Sequence, residues 1–195
     1  MRHAVILAHP KPTSFCASIA QTCVEHLRAT GHSVVMRDLY GLDFDPRLKA
    51  EELPGPLGAT AAPDIVAERQ ALAEVDSFIF VYPFWFNAPP AILKGYVDRV
   101  FSMGFGYAAG PGGAQSLLDD KTLLSFSTSG APEHWVETTG ALKALMTVFD
   151  LHLSGVCGLR VLDHRHFGSI VSNTTAESGA DVMQAVRSCL DDLFG

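Results

Sequence analysis

Ser77–Val100 reads SFIFVYPFWFNAPPAILKGYVDRV and contains a strand, a loop and a helix in that order. Ser77–Tyr82 is rich in aromatic and β-branched residues, which marks a strand. Pro83 ends it. Pro89-Pro90 opens a helix at the position where a missing N–H costs nothing, and Leu93, Tyr96, Val97 and Val100 supply its apolar stripe. The same alternation extends in both directions. Upstream, Ala4–Ala8 (AVILA) is a continuous apolar run, as expected of a strand covered on both faces. It breaks at His9-Pro10-Lys11-Pro12, after which Thr13 or Ser14 can cap a helix. Cys16, Ile19, Ala20, Cys23, Val24 and Leu27 fall at helical spacing, Gly31 ends that helix, and Ser33–Leu39 reads as a second strand. A Pro/Gly-rich stretch over 41–63 leads into a charged helix from Asp64, with Ile65, Leu72 and Val75 inward. Downstream, Thr122–Ser127 is a fourth strand, and Leu142, Leu145, Met146 and Phe149 mark a helix. Residues 155–163 suggest a fifth strand. Thr174 and Glu177 form a candidate capping box ahead of a last helix with Val182, Val186, Cys189, Leu190 and Leu193 on one face.

Strands alternating with helices imply an α/β fold. The expectation is a three-layer, doubly wound, five-stranded parallel sheet in the flavodoxin-like order 2-1-3-4-5, formed by a single domain over residues 1–195. The chain has 195 residues, 48% of them apolar and 18% charged, which excludes disorder. A net charge of −7 and a pI near 5.5 disfavour nucleic-acid and anionic-membrane partners. The apolar stretch Phe78–Phe86 is too short to span a bilayer and contains Pro83. Cys16, Cys23, Cys157 and Cys189 include no CxxC pair, and the start lacks a signal-peptide layout, so reduced, buried thiols and a cytoplasmic location are expected.

In a doubly wound sheet, ligands bind beyond the carboxyl ends of the strands at the switch point. The loops after the first, third and fourth strands should therefore hold the site. The first, His9–Cys16, lacks glycine and is neither a Walker loop nor GxGxxG. Thr13 and Ser14 either cap the helix only or, with its free N–H groups, also form a phosphate site. The second contains Phe84-Trp85-Phe86 followed by Asn87. Core packing accounts for one or two of these aromatics, and a third should face solvent or a flat ligand such as an isoalloxazine ring. The third, Ser127-Thr128-Ser129-Gly130, is small and polar. Alone it reads as an ordinary turn, but its N–H groups could stabilise negative charge at one end of a ring. Convergence of all three loops at one rim strengthens the reading.

LAHPKPTSF (Leu7–Phe15), PDIVAERQAL (Pro63–Leu72), YPFWFNAPPAILKGYVDRVF (Tyr82–Phe101) and STSG (Ser127–Gly130) resemble the NAD(P)H:quinone oxidoreductase family. This is the DT-diaphorase-like branch of flavodoxin-like flavoproteins, which includes regulatory flavoprotein subunits of bacterial potassium-efflux systems. The resemblance implies a tightly held flavin, FAD with FMN as the alternative. It places His9, Thr13, Ser14, Phe15 and Cys16 at the phosphate and ribityl chain. Pro83, Phe84, Trp85, Phe86 and Asn87 then lie under and beside the ring, and Ser127, Thr128, Ser129 and Gly130 supply backbone donors to its pyrimidine end. It further implies ping-pong hydride transfer from NAD(P)H through the flavin to a quinone, and a homodimer in which Tyr107 lines the substrate side of the partner's ring. Where the diaphorase branch has a tyrosine and a histidine to handle the proton, this chain has Trp135 and Ala141. His134 is the expected substitute, with an ordinary pKa near 6.5.

Other constellations carry less. His164 and His166 form an HxH pair with no third ligand nearby, so no metal site is expected. Cys16 stands at a helix N-terminus, which lowers a thiol pKa, but its helical phase favours packing over reactivity. The alternatives to a quinone reductase are a flavodoxin-type electron carrier and a regulatory subunit of a potassium-efflux transporter. The apolar segment Phe101–Tyr107 and the 41–63 insert favour a closed small-molecule pocket.

Overall fold

The computed structural model describes residues 1–53 and 60–195, so part of the 41–63 insert lies outside the described residues. Chain order runs β1 (Arg2–Leu7), α1 (Phe15–Ala29), β2 (Ser33–Asp38), a 3-10 turn (Ala50–Glu52), α2 (Pro63–Leu72), β3 (Ser77–Pro83) and α3 (Ala91–Val100). It continues through β4 (Tyr107–Gly110), β5 (Gly113–Ser116), β6 (Thr122–Thr128), α4 (Glu133–Thr138) and α5 (Ala141–Leu145). A π-helical stretch (Met146–Leu151), α6 (His152–Cys157), β7 (Arg160–Phe167) and α7 (Ala176–Phe194) complete it.

Five parallel strands form one sheet in the order β2-β1-β3-β6-β7, the expected flavodoxin-like arrangement with a β4–β5 hairpin inserted. Every residue of β3 and β6 is buried, as strands covered on both faces require. Side-chain alternation sends Val5 and Leu7 of β1 to one core with Ile19 and Cys23 of α1 and Val186 and Leu190 of α7. It sends Ala4 and Ile6 to the opposite core, with Leu72 of α2, Tyr96 of α3, Phe149 of the π-helical stretch and Leu153 of α6.

The helix start at α1 follows the sequence: Ser14 caps it by accepting from Ala17 N–H at 3.1 Å. Three boundaries differ. The expected fifth strand over 155–163 begins at Arg160, because Ser154–Cys157 finish α6 and Gly158 (φ +85°) reverses the chain. The single helix expected around Leu142–Phe149 is divided into α5, the π-helical stretch and α6. Thr175, not Thr174, caps α7, its side chain accepting from Ser178 N–H. The segment from Phe101 folds onto its own core, Phe101 packing edge-on to Phe78 at 5.0 Å and Phe105 following at 5.7 Å, before Tyr107 enters the hairpin.

Candidate functional site

The register sets the site. Leu7 of β1 pairs with Val81, and Tyr82-Pro83 of β3 pair with Ser127-Thr128 of β6, so the three following loops leave the sheet side by side. Two backbone bonds seal this edge, Ala8 N–H to Val81 O at 3.0 Å and Phe84 N–H to Thr128 O at 2.7 Å. Above it lies a cavity of about 520 Å3. Of the residues singled out in the sequence, His9, Thr13, Ser14, Phe15, Cys16, Pro83, Trp85, Thr128, Ser129 and Gly130 line it.

The first loop offers donors. Ser14 Oγ satisfies Ala17 N–H, but the N–H groups of Thr13, Phe15 and Cys16 have no acceptor among the described residues. They stand at the positive end of the fifteen-residue α1, with Lys11 beside them on the cavity wall. Cys16 Sγ meets Thr128 Oγ1 at 3.2 Å and ties the first loop to the third. Burial pushes the Cys16 thiol up to about 11, overriding the helix N-terminus, so this cysteine is a packing group.

The second loop is a tight reversal. Trp85 and Ala88 exchange backbone bonds at 3.1 and 3.0 Å across Phe86 and Asn87, both of which hold left-handed backbone (φ 47° and 56°). Trp85 is 45% exposed and faces His9 across the cavity mouth, with ring centroids 5.6 Å apart. Burial, partly opposed by the bond from Lys11 N–H, lowers the His9 pKa. Phe86 is fully exposed, and Phe86 and Asn87 stand outside the cavity lining with N–H groups that find no partner among the described residues.

Two residues expected at the cavity point inward instead. Phe84 is buried with its ring edge-on to His166 at 5.7 Å. Ser127 is fully buried on the opposite face of β6 from Thr128, as the pleat demands, and its hydroxyl lies between His164 and His166. In the third loop, Gly130 and Ala131 have N–H groups without acceptors among the described residues. His134 and Trp135 stand exposed on α4 and do not line the cavity. Tyr107 belongs to a different cavity of about 460 Å3, lined by α3, β4 and the π-helical and α6 region, which shares no lining residue with the first. Sequence reasoning missed one wall altogether. Ile170–Gly179, leading into α7, supplies Val171, Ser172, Thr174 and Thr175. The run Ser172-Asn173-Thr174-Thr175 was the available signal, since hydroxyl-rich turns before a helix recur at ligand sites.

The site therefore combines unpaired backbone donors, one lysine, a helix N-terminus and an exposed indole. Among the described residues no cluster of three metal-ligating side chains occurs, and no helix is long and apolar enough to cross a membrane.

Comparison with known proteins agrees with this architecture. A family profile described as flavodoxin-like fold matches residues 1–190. An uncharacterised NAD(P)H oxidoreductase of Haemophilus influenzae is 35% identical over 171 residues, covering 87% of this chain and 85% of that protein. NAD(P)H dehydrogenase (quinone) 1 of Rattus norvegicus is 29% identical over 218 residues, covering 99% of this chain and 77% of that protein. The structure of the NAD(P)H:quinone oxidoreductase from Methanothermobacter marburgensis superposes with a TM-score of 0.87 at 24% identity, over 99% of this chain and 98% of that one. The chain belongs to the flavodoxin-like family, in its NAD(P)H:quinone oxidoreductase branch, and is an oxidoreductase.

Proposed function

We propose that the 520 Å3 cavity holds a flavin and that the protein uses it to reduce quinones with NAD(P)H. The observation that carries this reading is the set of N–H groups without acceptors among the described residues on the first and third loops at one cavity, with those of the second loop just outside its lining. Thr13, Phe15 and Cys16 stand at one end, Gly130 and Ala131 at another, and Phe86 and Asn87 at the rim. A flavin supplies the two-electron step when bound, taking hydride from the nicotinamide and passing it to the acceptor.

The protein's part is binding, orientation and charge. Lys11 and the N-terminus of α1 hold the phosphate. Phe15 offers an aromatic wall on which an adenine could rest, which favours FAD over FMN. Trp85, on the cavity wall, would cover the ring, and the exposed Phe86 beside it would meet the substrates. The N–H groups of Gly130 and Ala131 donate to the pyrimidine end, where negative charge develops. We further propose a homodimer in which Tyr107 of each chain closes the substrate side of its partner's site. A cytoplasmic location suits four free, buried cysteines.

The test is direct. The purified protein is expected to be yellow, to release a flavin whose mass identifies FAD or FMN, and to be bleached by NAD(P)H without any partner protein. Colour should return on adding a quinone. A colourless protein after reconstitution overturns the reading. A yellow protein that NAD(P)H leaves unbleached is a carrier.

A further inference from the structure

Behind the third loop, five side chains form an unbroken hydrogen-bonded line from the core to the cavity. Asp150 is fully buried, and its Oδ1 accepts from Ser125 Oγ at 2.9 Å. Its Oδ2 meets His164 Nδ1 at 2.5 Å. His164 Nε2 meets Ser127 Oγ at 2.7 Å, and Ser127 Oγ meets His166 Nδ1 at 2.8 Å. His166 Nε2 meets Ser129 Oγ at 2.9 Å, and Ser129 lines the cavity. Ser129 Oγ also donates to Ala131 O at 2.9 Å. Both imidazoles are buried. Asp150 lies within the π-helical stretch, a helix irregularity often found at functional sites.

The donors decide how many protons this line holds. A carboxylate only accepts, so His164 Nδ1 carries a proton toward Asp150. If both imidazoles are neutral, Ser127 donates to His164 Nε2, His166 Nδ1–H donates to Ser127, and Ser129 must donate to His166 Nε2. The Ser129 proton is then unavailable to Ala131 O. All contacts are satisfied together only with one more proton. In that arrangement His164 is doubly protonated against Asp150, Ser127 donates to His166 Nδ1, His166 Nε2–H donates to Ser129, and Ser129 donates to Ala131 O. The extra charge sits beside the buried carboxylate and neutralises it.

We propose that Asp150, His164, Ser127, His166 and Ser129 form a proton relay that stores one proton on His164 and delivers it into the cavity at Ser129. Resting on the quinone-reductase reading, its recipient is the acceptor oxygen that gains negative charge as hydride arrives. The step balances. Ser129 gives its hydroxyl proton to that oxygen and takes the proton of His166 Nε2. His166 Nδ1 takes the proton of Ser127, and Ser127 takes that of His164 Nε2. His164 ends neutral, His166 has exchanged tautomer, and one O–H bond has formed on the acceptor. One proton from water at the cavity mouth reverses the chain. This matches the single proton consumed when NAD(P)H reduces a quinone to a hydroquinone.

The groups packed against the line permit this. From β3, Tyr82 sets its ring edge-on to His164 at 6.1 Å, and burial holds its hydroxyl well above the usual range, so it stays neutral. From the same strand, Phe84 covers His166. Burial, with His164 next to it, pushes His166 down to about 4, which leaves His166 a neutral conductor between the two ends. His134 is exposed outside the cavity lining, whereas Ser129 is part of that lining.

The experiment is nitrogen NMR of the full chain labelled at histidine, with and without added flavin, from about pH 5 to about pH 9. His164 is expected to show two protonated nitrogens at the low end, and to lose one in the same step in which His166 changes tautomer from Nε2–H to Nδ1–H. Ser129→Ala is expected to uncouple the His166 tautomer from the cavity, and to slow the quinone half-reaction by about a hundredfold, far more than it slows flavin reduction by NAD(P)H. Ser129→Thr should restore both. His164 losing its proton while His166 keeps one tautomer overturns the relay, as does a Ser129→Ala protein with wild-type quinone turnover. If the chain takes up no flavin, the functional reading fails, and the coupled tautomer change still decides whether the relay exists.

Discussion

Phe86 is the residue whose local cost is easiest to see. A bulky side chain in left-handed backbone costs about 1–2 kcal/mol, which only glycine escapes, and this phenylalanine is fully exposed, so no packing offsets the cost. Strain at a cavity rim points to use. Phe86→Gly is expected to raise stability by about 1 kcal/mol, a melting shift of roughly 2–4 °C, while raising the KM for quinone. Calorimetry and steady-state kinetics on the same protein check both halves, and a variant that melts lower would show the backbone to be relaxed. Cys16 makes the opposite case. Its raised pKa means that alkylation at mildly alkaline pH should leave it unmodified in the native chain and label it after unfolding, as mass spectrometry of the peptide would show. The sequence shows that Cys16 sits at a helix start. It does not show how completely Thr128 and the sheet cover it, because that depends on strand register. The same limit applies to Ser127. The resemblance placed its backbone at the cavity, but Ser127 is paired inside β6 between Tyr82 and His166, and the pleat turns its side chain inward to His164 and His166, which are distant in sequence.

At the scale of elements, α3 carries the most structure. Gly95 and Arg99 lie one turn apart on it and grip the segment that follows β2. A Cβ on Gly95 would meet Pro46 O at 2.1 Å and Pro46 Cβ at 2.5 Å. Arg99 is buried and bonds Glu52 at 3.0 Å, Asp64 at 2.8 Å and the Asp45 carbonyl at 2.6 Å, with its guanidinium 5.4 Å from the Phe44 ring centroid. Gly95→Ala is expected to destabilise by about 1–3 kcal/mol through overpacking, although alanine otherwise gains about 1 kcal/mol in a helix interior. Arg99→Leu is expected to cost about 3–5 kcal/mol, because it leaves Glu52 buried without its partner. Adding Glu52→Gln should recover part of that loss. Burial raises the Glu52 and Asp64 carboxyls, but the bonds from Arg99 outweigh it and leave both below the usual range. The stability they contribute is therefore complete above the ordinary carboxylate range and is lost as pH falls through their lowered values. The urea midpoints of wild type and Arg99→Leu should thus draw together as pH is lowered from neutral through the carboxylate range and below it. Periodicity made α3, β3 and the sheet legible, because each is a local pattern of apolar residues. Arg99 was hidden within that stripe, and the boundaries around 142–163 were misjudged because a π-helical stretch has neither the helix nor the strand period.

For the whole molecule, the decisive feature is an apolar surface that the described residues leave uncovered. The second cavity is walled by Val97, Phe101, Tyr107, Leu153 and Val156, and beside it Val148 is 69% exposed and Leu151 53% exposed. Exposed aliphatic residues around an apolar recess commonly mark an interface. A two-fold axis through this face would make the contact isologous, so that each chain presents and receives the same patch. It would also explain why Tyr107 lies in a cavity separate from the loops that form its own chain's candidate site. Sedimentation of the native protein should give a dimer. Val148→Glu places a charge where apolar contact is proposed, and desolvating it is costly, so this variant should sediment as a monomer. Because Val148 is exposed in the single chain, the variant should retain its fold and the flavin proposed for the other cavity. Quinone turnover should fall with the dimer fraction. A monomeric wild type with full turnover would remove Tyr107 from the site. A Val148→Glu protein that remains dimeric would move the interface to another face.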